Sequence, residues 1–204
     1  MRYILASKSP RRSKILINAG YKIKIIPSNI DESKISETLN PEAYCVKLSK
    51  LKSKDIAMKY KNHTIIGADT IVYIKNKILN KPKNFNEAKK MLTNLSNNTH
   101  KVLTGVSIIN IDLRINVSFY DTTKVTFYKL SENEINDYIN KFKPYDKSGS
   151  YGIQDGSNIF IKKIVGSYEN IMGFPISKFN QLIKKISSLQ RWIKILNFNY
   201  GKIR

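Results

Sequence analysis

The hydrophobic positions of the chain recur with two spacings, one typical of strands and one typical of amphipathic helices. Apolar or alternating runs predict strands, whereas apolar residues three and four apart predict helices. The predicted strands lie at residues 2–6, 22–27, 64–73, 101–111, 117–129 and 158–163. The predicted helices lie at 10–19, 41 to about 60, 84–95, 131–142 and from 175 onward. Because strands and helices mix without strict alternation, the pattern predicts an α/β fold with a mixed sheet.

The first predicted helix begins with two arginines. Ser9 is a natural N-cap and Pro10 suits the first helical position, so Arg11 and Arg12 fall in the first turn. That end of a helix carries partial positive charge, which disfavours cations by themselves. An anion bound there, held by backbone N–H groups and by guanidinium groups, would explain the arrangement. A solvated basic turn explains this fragment equally well.

The composition fits a globular protein of a reducing compartment. With 204 residues and 41% hydrophobic content, the chain can bury a core as one domain or as two closely joined lobes. It has neither a membrane-length apolar run nor a signal-peptide pattern, so we expect a cytoplasmic protein outside the membrane. Cys45 has no disulfide partner in the chain and is expected to be a buried structural thiol. With one cysteine and two histidines, we do not expect zinc.

The formal charge of +21 suggests a nucleic-acid-binding protein, but the lysines are scattered over nearly every predicted element. Such scatter, together with abundant Ile and Asn, is what an A+T-rich coding sequence produces. We therefore expect only non-specific affinity for polyanions, with a non-catalytic nucleic-acid binder as the alternative. Residues 189–204 are basic and aromatic, which suits contact with RNA or membrane, but we favour an extension of a domain spanning 1–188.

Asp69 is the most informative single residue. It interrupts an otherwise apolar predicted strand, where burying a carboxylate is costly unless it is paired or bound to a metal. The preceding Gly67 and Ala68 are small, so a ligand or another backbone can approach closely. One interpretation is a structural carboxylate bonded by backbone N–H groups. The other, which we favour, is a metal ligand or general base beside a phosphate chain.

Other polar residues supply further parts of a nucleotide site. Lys52 shares the apolar face of its predicted helix, so it either extends its ammonium to solvent or reaches an anion in a cleft. Lys81 precedes a proline that restricts the chain, and Glu32 lies in a polar loop where acids are usually solvated. The stretch 147–154 has two glycines around an aromatic residue and ends in Gln154, which suits close approach to a planar ligand. Together these groups are typical of a nucleoside triphosphate site.

Seven motifs, in order, resemble the Maf (septum formation inhibitor) family, and the likeness extends over about residues 2–188. They are Ser7-Lys8-Ser9-Pro10-Arg11-Arg12, Asp31-Glu32, Gly67-Ala68-Asp69-Thr70, Lys81-Pro82, and the stretches 99–106, 147–154 and 166–175. The resemblance implies a cytoplasmic nucleoside triphosphate pyrophosphatase that releases a nucleoside monophosphate and pyrophosphate with a divalent metal, Mg²⁺ or Mn²⁺. It also implies a long mixed twisted sheet with flanking helices, two lobes around a cleft as in house-cleaning (ITPase-like) pyrophosphatases, and a possible homodimer.

The resemblance also implies roles for individual residues. Asp69 corresponds to the proton acceptor of the family. The positions that handle phosphate and metal are Ser7, Arg11, Glu32, Lys52 and Lys81, with Glu32 and Asp69 as the metal carboxylates. The positions that select the base are Arg12, Thr70 and Gln154, and they match the subgroup acting on dTTP and UTP. The sister subgroup, acting on 7-methyl-GTP, has an aromatic residue in place of Arg12 and is the alternative substrate prediction.

This chain departs from the family pattern at two positions directly beside those motifs. Asn80 stands where many members have glycine, and Asp155 precedes Gly156 in the turn after Gln154. Neither change removes a catalytic group. Asp155 places an acid beside Gln154, so it bears on the expected base preference.

Overall fold

The computed structural model describes residues 2–32, 35 and 40–200, with side chains up to residue 191. Its strands are β1 (Tyr3–Leu5), β2 (Ile23–Ile25), β3 (Thr64–Ile74), β4 (Lys77–Leu79), β5 (Thr99–Asn110), β6 (Ile115–Phe127) and β7 (Ile161–Val165). Its helices are α1 (Pro10–Asn18), α2 (Pro41–Ala57), α3 (Phe85–Leu95), α4 (Glu132–Phe142), α5 (Tyr168–Ile171) and α6 (Ile176–Tyr200). The predicted elements are therefore present, in the predicted order.

The strands form one mixed seven-stranded sheet in the order β2-β1-β3-β5-β6-β7, with β4 paired to the end of β3. β1 is parallel to both β2 and β3. The pairs β3–β5, β5–β6 and β6–β7 are antiparallel. The pairing of β3 with β5 places Asp69 opposite Gly105 and Thr70 opposite Thr104. The predicted mixed sheet is confirmed, and this pairing of two long strands brings the candidate residues to its centre.

Two large hydrophobic clusters lie at opposite ends of the long strands and form the two lobes. One cluster joins α3 and α4 to the end of β3, around Leu92, Ile139 and Phe127. The other joins α1 and the start of α6 to β1 and the beginning of β3, around Leu16 and Phe179. Because β3, β5 and β6 contribute to both clusters, the lobes share one continuous sheet.

Side-chain caps hold the starts of α1, α3 and α4, and the cap of α1 is the predicted one. Ser9 accepts a hydrogen bond from the backbone of Arg12 at the start of α1, and Asn84 caps α3 in the same way. Ser131 and Glu134 form a capping box at the start of α4. Cys45 is buried in α2, and this burial raises the pKa of its thiol to about 12, so the expectation of a structural cysteine is confirmed.

The last strand begins later in the chain than the sequence pattern predicts. Residues Ser157–Phe160 form a 3₁₀ turn, and β7 begins only at Ile161. Gly156 starts this turn with a φ of 76°, and the turn buries Phe160, whose apolar character in sequence imitates a strand residue.

The final helix passes the predicted domain boundary without interruption. α6 runs from Ile176 to Tyr200, so the backbone does not break at residue 188. Residues 201–204 of the proposed extension lie outside the described residues, and the division at 188 stays a prediction. Among the described residues, no helix has the length and apolar character needed to cross a membrane.

Candidate active site

A cleft of about 920 Å³ lies between the two lobes. Its walls come from the β1–α1 loop, the inner face of α2, the middle of β3, the segment after β4, the loop at 146–154 and the turn at 171–173. All nine candidate residues line it: Ser7, Arg11, Arg12, Glu32, Lys52, Asp69, Thr70, Lys81 and Gln154. Residues from opposite ends of the chain thus share one surface.

The charge of the cleft suits an anionic ligand. Among the described residues, seven cationic side chains line it, namely Lys8, Arg11, Arg12, Lys52, Lys81, Lys83 and Lys147. Three carboxylates accompany them, Glu32, Asp69 and Asp146. The surplus of cations raises the local concentration of polyanions, and the three carboxylates place negatively charged oxygen atoms among those cations.

A buried lysine joins two carboxylates on one wall of the cleft. The Lys52 Nζ lies 2.5 Å from Asp69 Oδ1 and 2.9 Å from Glu32 Oε1. Lys52 and Asp69 are only 8% and 7% exposed, so neither charge is well hydrated by bulk water. Removing one partner of such a pair leaves an uncompensated buried charge, which typically costs about 3–5 kcal/mol.

The same lysine controls the ionisation of Glu32. Burial by itself would raise the pKa of this carboxyl group, but the charge and hydrogen bond of Lys52, with the charges of Lys81 and Arg12, together outweigh that effect. The pKa of Glu32 therefore lies below its usual value, and the group is ionised at neutral pH. Glu32 comes from a loop and its side chain is half exposed, but it pairs with Lys52 on the wall of the cleft.

Lys52 reaches Asp69 because α2 packs directly on the sheet. A Cβ atom at Gly67 would lie 2.8 Å from the backbone nitrogen of Ser53, and one at Gly105 would lie 2.6 Å from that of Val46. The two glycines therefore permit a close approach of helix and sheet. Of the two alternatives for Lys52, the structure shows the reach into the cleft.

Arg12 is held by three hydrogen bonds at the centre of the site. Its Nε donates to the Gly173 carbonyl oxygen at 2.9 Å, and its two terminal nitrogens donate to Ser7 Oγ and Thr70 Oγ1, both at 3.0 Å. Burial lowers the pKa of this guanidinium, because water no longer stabilises its charge as well. The side chain links the first loop, the middle of β3 and the turn before α6.

Arg11 lies at the outer edge of the cleft and is held less tightly. Its Nη1 is 3.1 Å from Asp146 Oδ2, and Asp146 in turn pairs with Lys147 at 2.6 Å. Burial by itself would raise the pKa of Asp146, but Lys147 and Arg11 together hold that pKa below its usual value. Arg11 and Arg12 are therefore neighbours in sequence with different surroundings.

Lys81 and Gln154 line the cleft with side chains from two different loops. Lys81 contributes to the low pKa of Glu32, which places its charge near the carboxylate cluster. The loop of Gln154 is braced by Lys147, whose Nζ is 3.2 Å from Asp155 Oδ2. Asp155, which departs from the family pattern, thus pairs with a lysine of its own loop.

Sequence reasoning did not single out Asp146, Thr104 or Gly173, which contact the candidate residues. Asp146 pairs with Arg11, Thr104 contacts the hydroxyl of Thr70, and Gly173 accepts from Arg12. Asp146 offered a weak signal as an acid beside the glycine-containing loop. Thr104 offered no signal beyond its place in the stretch 99–106, because a threonine in a strand is ordinary and its partner is distant in sequence.

Known proteins resemble this chain over most of its length. A family model described as Maf-like protein matches residues 2–186. A dTTP/UTP pyrophosphatase of Bacillus cereus is 44% identical over 184 residues, or 90% of this chain and 95% of that protein. A dTTP/UTP pyrophosphatase of Carboxydothermus hydrogenoformans is 40% identical over 91% of this chain and 98% of that protein. The solved Staphylococcus aureus Ham1 protein has 17% identity and a TM-score of 0.43, over 62% of this chain and 72% of that one.

Proposed function

Because the chain belongs to the Maf-like protein family, we propose that it hydrolyses a nucleoside triphosphate, dTTP or UTP above all, to the monophosphate and pyrophosphate. The names of its relatives, dTTP/UTP pyrophosphatases at 44% and 40% identity, support this substrate class. The observation that carries the proposal is the buried Asp69–Lys52 ion pair, with the half-exposed Glu32 on the same ammonium group, on the wall of a cation-lined cleft. A base, charge compensation and phosphate-binding groups are thereby gathered in one place.

The triphosphate binds along the cationic side of the cleft in this proposal. Arg11, Lys52 and Lys81 neutralise its charge, and guanidinium and ammonium groups form strong hydrogen bonds to phosphate oxygens. Ser7 and the N-terminus of α1 add neutral donors and a favourable helix dipole. These contacts hold the α-phosphorus near Asp69.

Asp69 acts as the base of the reaction. It orients a water molecule and accepts its proton while the water oxygen attacks the α-phosphorus. The bond from that phosphorus to the bridging oxygen breaks, and pyrophosphate leaves. A positioned base of this kind accelerates a reaction by about 10²–10⁴-fold.

The carboxylates of the cleft fit a hard divalent cation such as Mg²⁺ or Mn²⁺. The Asp69 and Glu32 oxygens meet at one ammonium group, so they already lie at a common cationic position. No cluster of three or more His, Cys, Asp or Glu residues suited to a metal occurs among the described residues. Two carboxylates with substrate phosphates and water are a common Mg²⁺ set, and the bound ion would stabilise charge on the phosphate oxygens.

Arg12, Thr70 and Gln154 select the base in this proposal. Arg12 and Thr70 are bonded to each other at 3.0 Å, and Gln154 lies on the facing loop with an amide that both donates and accepts. The cytoplasmic location and the homodimer stay predictions of the same kind.

The test is pyrophosphate release from dTTP, UTP, CTP, GTP and 7-methyl-GTP by the protein and its Asp69→Asn variant. We expect release from dTTP and UTP, and a loss of about 100-fold or more in the variant, which stays folded at a lower melting temperature because the buried Lys52 loses one of its two carboxylate partners. Asp112→Asn, which changes an exposed carboxylate outside the cleft, is the matched control and is expected to keep full activity. Near-normal turnover in Asp69→Asn would show that another group is the base.

The same panel separates the alternatives. A strong preference for 7-methyl-GTP over dTTP and UTP would contradict the assigned subgroup. No pyrophosphate release from any nucleotide, together with salt-sensitive RNA binding, would favour a nucleic-acid-binding protein instead.

A further inference from the structure

A buried threonine on β5 contacts the candidate base-selecting residue Thr70. Thr104 lies directly opposite Thr70 in the antiparallel pairing of β3 and β5, and it is fully buried. The two hydroxyl oxygens are 2.9 Å apart. On its other side, the Thr104 hydroxyl lies 3.2 Å from the backbone carbonyl oxygen of Asn170.

The partners at the two ends decide the direction of these hydrogen bonds. The Asn170 carbonyl only accepts, so Thr104 must donate its single hydrogen there. Thr70 must then donate to Thr104 for the contact between them to be a hydrogen bond. Arg12 only donates, so its 3.0 Å bond to Thr70 uses a lone pair of the Thr70 oxygen. The chain therefore runs in one direction, from Arg12 through Thr70 and Thr104 to Asn170.

The reverse arrangement is less favourable. If Thr104 donated to Thr70, the Thr70 hydrogen would turn to the open cleft or to the Gly173 carbonyl oxygen at 3.4 Å. That distance is at the limit of a hydrogen bond, and the Asn170 carbonyl would lose its bond from Thr104. The shorter contacts thus direct the Thr70 hydrogen into the sheet.

We propose that Thr104 is a positioning residue for base selection, which acts by making Thr70 an acceptor towards the cleft. This inference rests on the proposed function and deepens it. With its hydrogen held by Thr104, Thr70 presents only a lone pair to a ligand. Uracil and thymine carry a donor at N3, whereas cytosine carries an acceptor there, so an acceptor-only Thr70 favours the first two bases and disfavours the third.

The experiment compares three variants in steady-state kinetics with UTP and CTP. Thr104→Val keeps the size of the side chain but removes the hydroxyl, so Thr70 becomes free to donate. Thr104→Ser keeps the hydroxyl. Thr123→Val is the matched control, because Thr123 is an equally buried threonine whose hydroxyl bonds Asn170 Nδ2 and the Ser167 carbonyl rather than Thr70.

We expect the ratio of kcat/KM for UTP over CTP to fall by about 2- to 10-fold in Thr104→Val, the equivalent of one hydrogen bond. Thr104→Ser should restore the ratio to within about twofold of the original protein. Thr123→Val should lower the melting temperature, as Thr104→Val does, but leave the ratio unchanged.

Two results would overturn the inference. One is an equal loss on UTP and CTP in Thr104→Val, and the other is the same change of ratio in Thr123→Val. Either result would show that the Thr104 hydroxyl has only a structural role, and it would leave the pyrophosphatase proposal intact. If the unaltered protein released pyrophosphate from no nucleotide, the proposed function itself would fail and this inference with it.

Discussion

The adjacent residues Arg11 and Arg12 illustrate how different surroundings separate two identical side chains. Three of the five N–H donors of Arg12 form hydrogen bonds to protein groups. Arg11, in contrast, has one ion pair in the described part of the chain, with the exposed Asp146. An exposed ion pair typically contributes about 0–1 kcal/mol, so a phosphate group can replace Asp146 at little cost. Arg12 is built into the wall, and Arg11 is available to the ligand.

Alanine at each position should therefore have a different effect. Arg11→Ala is expected to lower kcat/KM about equally on every nucleotide and to leave stability nearly unchanged. Arg12→Ala is expected to alter the ranking of nucleotides and to destabilise the fold by about 1–3 kcal/mol, because buried hydrogen-bond acceptors lose their donor. Kinetics on the nucleotide panel and urea unfolding measure the two effects.

Asp146→Asn is the control for Arg11. It weakens the ion pair but keeps the guanidinium, so it should retain turnover if the phosphate contact is what matters. If both alanine variants lost kcat/KM equally on all nucleotides, the two arginines would instead act together as a single anion-binding site.

At the scale of elements, the approach of α2 to β3 and β5 decides where Lys52 points. Gly67 and Gly105 lie under the helix on neighbouring strands, and neither has room for a Cβ atom. The hydroxyl of Ser53 adds a buried hydrogen bond of 2.9 Å to Ser107 Oγ on β5. The helix is thus held against the sheet over the turn that carries Lys52.

Gly67→Ala and Gly105→Ala should push the helix away from the sheet. We expect each to destabilise the protein by about 3 kcal/mol, since the obstructing atoms are backbone and cannot move alone. Turnover should fall as well, because the displacement moves Lys52 away from Asp69. Chemical unfolding and pyrophosphate release measure these effects.

Gly20→Ala is the matched control for these variants. Nothing lies within 4 Å of a Cβ at Gly20, but its φ of 86° makes an added side chain strained. It should cost only about 1 kcal/mol and keep full activity. Turnover as high in Gly67→Ala as in Gly20→Ala would show that the spacing of α2 does not position Lys52.

At the scale of the whole molecule, a buried histidine links folding to pH. His100 on β5 is 1% exposed, and its Nε2 lies 2.7 Å from the hydroxyl of Tyr151. Its ring packs edge-on against Phe127 and Tyr151. Burial lowers the pKa of His100 to about 3, so the folded protein keeps this ring neutral.

Stability should therefore fall as the pH drops below about 6.5, where the histidine of the unfolded chain takes up a proton that the folded chain excludes. Between pH 7 and pH 5 the expected loss of unfolding free energy is about 2 kcal/mol. This pH interval lies above the one in which carboxylates such as Glu32 titrate. His100→Gln should remove this part of the pH dependence in urea unfolding. His63→Gln, which changes a more exposed histidine, should keep it. An unchanged slope in His100→Gln would contradict the assignment.

Local patterns predicted most of the fold. Ser9 and Pro10 marked the start of α1, and the apolar spacing marked the other long helices and the long strands, because both signals depend only on neighbours in sequence. The strand at 158–163 was misplaced because the turn at Gly156 depends on a positive φ that periodicity does not reveal. The candidate Asp69 came from unusual local chemistry, a carboxylate in an apolar strand, whereas the roles of Thr70 and Glu32 came from the family resemblance.

The sequence by itself determined the kinds of groups in the cleft and the elements that carry them. Only the tertiary structure decided how those groups pair: Lys52 with Asp69 and Glu32, Arg11 with Asp146, and Thr70 with Thr104. The physical reason is that a hydrogen bond or a buried ion pair acts over about 3 Å, and sequence patterns do not specify distances between remote residues. The packing of α2 on two glycines and the register of β3 with β5 supply those distances.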